Sequence, residues 1–146
     1  MNALKKIIEK GKELNACDLL HDNTTIREAA MVIFMPQGRE FCQKHSFPSL
    51  DDLEALQAEN AQFLKRKRIY VNEDKIEIFT RSTDCMFAGE SENQIHCEGA
   101  GCYNIILAHG AKAYISASDY AVVRVTKIGK GCKHQFVNLD KTAVLL

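Results

Sequence analysis

No stretch of this sequence is apolar for long enough to leave water. A membrane helix needs roughly 18 consecutive apolar residues, and no segment approaches that. The N-terminal MNALKKIIEKGKEL has lysine or glutamate in every turn, so it lacks the apolar core of about 7–15 residues that a secretory signal requires. The expectation is a chain that stays in the cytoplasm and makes no membrane contact. Nor is there an excess of either charge. The 19 basic and 19 acidic side chains leave a formal net charge of zero. A duplex-binding protein carries a basic surplus to neutralise phosphates, so composition calls for no nucleic-acid partner. A near-neutral chain also gains little from self-repulsion, which leaves it free to associate. Proline occurs twice, and the hairpin-closing pairs Asn-Gly and Asp-Gly do not occur at all.

What is present is ordinary globular material. Apolar residues make up 46 % and charged residues 26 % of the 146 positions, enough for one compact domain or two small lobes on a shared core. There are six cysteines: Cys17, Cys42, Cys85, Cys97, Cys102 and Cys132. An even count suggests a disulfide framework only in a secreted chain. Without a secretory signal they read as free thiols.

The first half has helical spacing. Ala3, Leu4, Ile7, Ile8 and Leu14 predict an amphipathic helix over about residues 2–15, weakened at Gly11. Thr25 and Glu28 form a capping box for a second, largely buried helix from Ile26 to Met35, which Pro36 ends. Pro36 also suits the first turn of a short helix over Gln37–Lys44, stopped by Pro48. Ser49 then opens a helix carrying Leu50, Leu53, Leu56 and Phe63, to about residue 64. The basic cluster Lys65-Arg66-Lys67-Arg68 follows, where the helix dipole favours cations. The same cluster also admits a nucleic-acid or partner-binding patch.

From residue 69 the period is two. Ile69–Val71 and Ile76–Phe79, either side of Asn72-Glu73-Asp74-Lys75, predict a β-hairpin. Beyond residue 98 the sequence repeats itself at a step of about ten. Gly99-Ala100-Gly101-Cys102 leads into Tyr103–Leu107, Gly110-Ala111-Lys112-Ala113 into Tyr114–Ala117, Asp119-Tyr120-Ala121-Val122-Val123 into Arg124–Thr126, and Gly129-Lys130-Gly131 into Cys132–Val137. Lys141–Leu146 closes the series. Ala111, Ala113, Ile115 and Ala117 share one face, as do Ala121, Val123 and Val125. Lys112, Tyr114, Ser116 and Ser118 take the other. Small inward residues at a fixed step let coils stack closely, each covering its neighbour's apolar face. The expected fold class is α+β: a helical region over residues 1–67, then a short single-stranded β-solenoid over 68–146. The alternative is an antiparallel meander or sandwich. A solenoid needs capped ends. The helical half and the first hairpin are expected at one end, while the other finishes on the apolar Val144, Leu145 and Leu146.

The units HGAKAYISAS and DYAVVRVTK resemble those of short bacterial β-solenoid proteins, including the polymer-forming bactofilin type. The segment MPQGREFCQKHSFPSLDDLEAL is similar to part of small uncharacterised bacterial proteins, often linked to phage or mobile elements, that join a helical head to such a tail. The resemblance implies a helical head on a solenoid, and it supplies no catalytic residue.

Chemistry-bearing groups are scattered. His96, Cys97, Cys102, Cys132 and His134 are the candidate zinc ligands, since stacked coils bring distant positions together. Their spacings are permissive rather than diagnostic. Cys42 and His45 sit one helical turn apart, as a nucleophile and base would, with no visible third group or oxyanion site. No helix follows either Gly-x-Gly piece, so both read as corners rather than phosphate loops. Tyr103, Tyr114 and Tyr120 with Lys112, Arg124 and Lys127 would decorate one outer face, either as a solvated surface or as a platform for single strands or sugars. Asp84, Glu90, Glu92 and Glu98 keep no fixed spacing. With no assembled catalytic set and no cofactor motif, the expected role is non-enzymatic: a structural or interaction protein that forms a homo-oligomer through Val144, Leu145 and Leu146. The alternative is a ligand- or metal-binding module on the solenoid flank, which a thermal-shift screen with sugars, nucleotides and metals would reveal.

Overall fold

The computed structural model describes residues 2–16 and 18–146; Cys17 lies outside the described residues. Four helices precede nine strands among them. Helix α1 (Ala3–Glu13) is capped by Asn2, whose side chain accepts from the Lys5 amide. In α2 (Ile26–Phe34) the Thr25–Glu28 capping box is formed in both directions. Helix α3 (Pro36–His45) starts with proline in its first turn. Helix α4 (Leu50–Arg66) is capped by Ser49 and interrupted at Asn60, whose side chain donates to the Leu56 carbonyl. One expectation fails here. In α2 only Ala30 is fully buried, and Met31 is 59 % exposed. The helix is apolar on more faces than its neighbours cover.

The strands are β1 (Ile69–Val71), β2 (Ile76–Phe79), β3 (Thr83–Ala88), β4 (Ser91–Glu98), β5 (Gly101–Ala108), β6 (Ala111–Ser118), β7 (Ala121–Ile128), β8 (Lys133–Leu139) and β9 (Val144–Leu145). Odd strands form one sheet in the order β1-β3-β5-β7-β9, and even strands β2-β4-β6-β8 form another. All pairings are parallel. This is a β-solenoid of about four coils, each coil giving one strand to each sheet. The ten-residue unit of the sequence is half a coil. Ser91 pairs with Ala111 and Gly101 with Ala121, a rise of 20 positions per coil. The first coil is shorter, with Ile76 beside Gln94 at 18 positions. The last is longer, with Lys112 beside Lys133 at 21 positions, and it carries an irregularity after Ile115.

The expected hairpin is therefore absent. β1 and β2 lie in different sheets, and Asn72–Lys75 is a coil corner that Asn72 turns with φ of +58°. A half-coil and a hairpin arm have the same period-two alternation, so alternation does not separate them.

Two cores share the odd-numbered sheet. Between the sheets lie Phe87, Ile95, Tyr103, Ile105, Leu107, Ile115 and Val123, with alanines at 111, 113, 117 and 121. On the outer side, Ile69, Val71, Met86, Ala88, Ile106, Ala108 and Ile128 join Ile7, Ile8, Leu53 and Leu64 of the helices. The helical half thus covers the flank of the five-stranded sheet rather than the end of the solenoid, as had been expected. A parallel sheet buried on both faces reads as a continuous apolar run, which is why Ile105–Ala108 does not alternate in burial.

One buried charge ties α1 to α4. Asp52 is 2 % exposed and receives Lys10 Nζ at 2.9 Å, with Lys6 Nζ at 3.8 Å. Burial pushes its carboxyl upward. Hydrogen bonding from Lys10 and Ser49 and the charges of both lysines outweigh that and hold it below the usual range. A depressed folded value adds stability above the unfolded pKa of about 3.9 that is lost as pH falls through the folded one. Asp52→Asn is expected to cost about 1–2 kcal/mol at neutral pH and to flatten the acid limb of the stability profile. Urea midpoints at pH 7 and in mild acid test this. An unchanged pH slope would remove Asp52 from the account.

Candidate functional site

The two ends of the solenoid are unlike. At the first coil the inward positions are filled by Tyr70 and Phe79, both buried. Polar groups close over them. Lys75 Nζ stands 4.8 Å from the Tyr70 ring centre, the Arg68 guanidinium 5.7 Å from that of Phe79, and the Tyr70 hydroxyl donates to Glu77 at 2.8 Å. Cations over aromatic faces keep their heads in water while their stems cover apolar area. This end is closed.

Among the described residues the last coil has no such cover. His134, Phe136 and Leu139 pair with the inward residues Ala113, Ile115 and Ala117; Phe136 packs against the inner core, while His134 and Leu139 are exposed. Leu145 pairs with inward Val123 and is 42 % exposed. Leu139, Val144 and Leu146 are exposed beside it, and so is Val137. Strands β8 and β9 are the outer edges of their sheets at this end. Partial burial, then the charge of Lys127, lowers the pKa of His134 from the ordinary histidine value. The site is an apolar end face with two open strand edges. The sequence had placed Val144, Leu145 and Leu146 here. It missed Phe136, Val137 and Leu139. Phe136 and Leu139 stand where the preceding coil puts Ile115 and Ala117, but at offsets of 21 and 22 positions, so a strict 20-residue step points to Gln135 and Val137 instead.

The zinc candidates fall in different compartments. His96 faces outward and meets the Ser116 hydroxyl at 2.6 Å, while its neighbour Cys97 is buried between the sheets. Cys102 is exposed at the start of β5, and Cys132 donates to the Ile128 carbonyl at a corner. His134 stands in the open end. Among the described residues no three His, Cys, Asp or Glu side chains converge as ligands, and the five described cysteines are free. Burial pushes the Cys42 and Cys97 thiols up to about 12 and Cys85 upward too. A thiol so raised is not a nucleophile at neutral pH. The ring of His45 lies 4.6 Å from that of Phe41, in an apolar setting.

The aromatic-basic face is not one face. Tyr103 points inward and is 1 % exposed, its hydroxyl donating to the Gly99 carbonyl. Tyr114 and Lys112 lie outward on the even sheet, Arg124 and Lys127 belong to the odd sheet, and Tyr120 sits at a corner. Strand phase after Gly101 sets this, because it turns Tyr103 inward while Tyr114 falls outward on the next strand. The Gly-x-Gly pieces are corners, with Gly129 and Gly131 at φ of +77° and +80°. Asp84 accepts from the Asn104 side chain at 2.8 Å. No helix among the described residues is long and apolar enough to cross a membrane.

No family model matches this chain, and no curated protein or solved structure matches it either.

Proposed function

We propose that the protein is a non-enzymatic interaction protein that self-associates through the open last coil of its solenoid. The observation that carries this is the difference between the ends: a first coil closed by Arg68, Lys75 and Glu77, and a last coil presenting Leu139, Val144, Leu145 and Leu146. Exposed edge strands and clustered apolar side chains are the surfaces proteins bury on assembly. The pairing is tail to tail. A head-to-tail contact would set the apolar end against charged side chains and would not close, giving filaments. A two-fold contact between identical apolar ends stops at a dimer.

Light scattering on the full chain across a concentration series tests this. A dimer is expected. Leu145→Asp, or removal of residues 141–146, is expected to weaken it at least about 100-fold, because an unpaired carboxylate would be buried at the centre of the contact. A monomer at all concentrations, or a dimer indifferent to both changes, removes the proposal. Mass that grows with concentration would mean head-to-tail assembly instead.

A further inference from the structure

The basic cluster after α4 does more than end a helix. It forms one wall of a groove of 580 Å³ between α2, the end of α4 and the corner leading into β3. The floor is apolar: Met31 and Met35, both exposed, and Phe34, half-buried. Arg27 from α2 and Arg66, Lys67 and Arg68 from the α4 end surround it, with Asp84 as the lone carboxylate of the lining. None of these four cations is in an ion pair among the described residues, where the salt bridges join α1 lysines to Asp52 and Asp22. Lys67 and Arg68 rest instead over the rings of Phe63 and Phe79.

Two properties meet here that are each costly to leave unpartnered. Methionines are adaptable apolar side chains that fit varied partners. Four like charges around them repel one another and attract acidic groups. The geometry points to a docking groove for an acidic polypeptide segment whose apolar side chains enter between Met31 and Met35, while its carboxylates meet Arg27, Arg66, Lys67 and Arg68. Nucleic acid fits the same cations less well. Strand binding relies on exposed aromatic rings for base stacking, and this floor offers thioethers and one half-buried phenyl.

The test uses the full chain and fluorescence anisotropy with a labelled synthetic peptide, glutamates on one helical face and leucines on the other. A lysine-leucine counterpart and a labelled single-stranded oligonucleotide serve as comparisons. The acidic peptide is expected to bind, with affinity falling as salt rises. Arg66→Glu with Lys67→Glu is expected to abolish binding. Met31→Ser is expected to weaken it about tenfold, the factor for leaving part of one methionine uncovered. These side chains are exposed, so Met31→Ser should melt with the parent by circular dichroism, while the double charge reversal, which sets anions at the α4 C-terminus, should lower the melting point slightly and leave the protein folded under assay conditions. Equal binding of both peptides, or acidic-peptide binding that survives the charge reversal, overturns the proposal. So does oligonucleotide binding that needs the cations but ignores Met31→Ser, which would assign the cluster to nucleic acid.

Discussion

Gly38→Ala is expected to destabilise the protein by about 3–4 kcal/mol, the severe end of what one added methyl does. Met35 is at once the C-cap of α2 and the N-cap of α3, with extended backbone at φ −73° and ψ 149°. The two helices therefore meet at a single-residue corner, and Arg39 fastens it by donating to the Phe34 carbonyl at 3.0 Å. Gly38 lies in the first turn of α3, against the backbone of Val32. A Cβ there would overlap the Val32 carbonyl oxygen. Backbone cannot swing aside as a side chain can, so α2 and α3 would have to separate. Gly11 is the comparison. It too is a buried helical glycine, but an added Cβ would meet the tip of Leu20 at 2.5 Å, a flexible side chain. Alanine there gains about 1 kcal/mol of helix propensity, so Gly11→Ala should fall within about 1 kcal/mol of the parent. At this chain length the first change lowers Tm by roughly 10 °C. Urea unfolding of both variants decides the matter. A stable Gly38→Ala protein beside an unfolded Gly11→Ala protein would reverse the assignment of which glycine holds the corner.

Gly38 also shows where reading the sequence stops. Local signals survived folding because they act locally: the Thr25–Glu28 box, the Ser49 cap, and Pro36 as a start for α3 all appear as expected. The alternation of Ala111–Ala117 is likewise visible in burial. Signals that depend on a partner element did not carry. The pairing direction of Ile69–Val71 and Ile76–Phe79 is set by strands β3 and β4, which follow them, so two alternating segments looked like a hairpin. The head settled on the flank because Met86, Ile106 and Ile128 point out of the odd sheet and need cover, a fact that emerges only once the 20-residue register is known. Strand alternation separates His96 from Cys97, and the lengthened last coil, pairing at 21 and then 22 positions, is what brings Phe136 and Leu139 to the open end. Gly38 gave no sign at all, since the obstacle is a carbonyl six positions earlier, brought close only by the corner.

Asn93→Ala is expected to cost about 2–4 kcal/mol, although the residue touches neither proposed surface. The even sheet has Ser91, Asn93, Ile95 and Cys97 pointing inward on β4. A fully buried amide among them needs partners, and it has three. Asn93 Oδ1 accepts from the Lys75 amide at 2.9 Å, and Nδ2 donates to Ser91 Oγ and to the Lys112 carbonyl, both at 3.0 Å. These bonds answer a shortage of chain. The first coil pairs at 18 positions where later ones pair at 20, so its corner lacks residues to continue the ladder. Side chains take over. Asn93 meets the Lys75 amide, and Asp74 accepts from the Glu92 amide at 2.8 Å. Alanine at 93 would strand the Lys75 donor and open a gap in the core. Asn93→Asp distinguishes this account from simple loss of volume. It keeps the acceptor for Lys75 but replaces a donor with oxygen facing the Lys112 carbonyl, and burial raises its carboxyl. A raised folded value means that stability falls as pH rises above about 4 and returns on acidification. The parent moves the other way, because Asp52 loses its bonds in acid. Above about pH 4, urea melts are therefore expected to show Asn93→Asp losing stability as pH rises while the parent, whose Asp52 titrates below that range, does not. Parallel slopes would mean that position 93 is merely a filled space, and the stitching of the short coil would have to come from elsewhere.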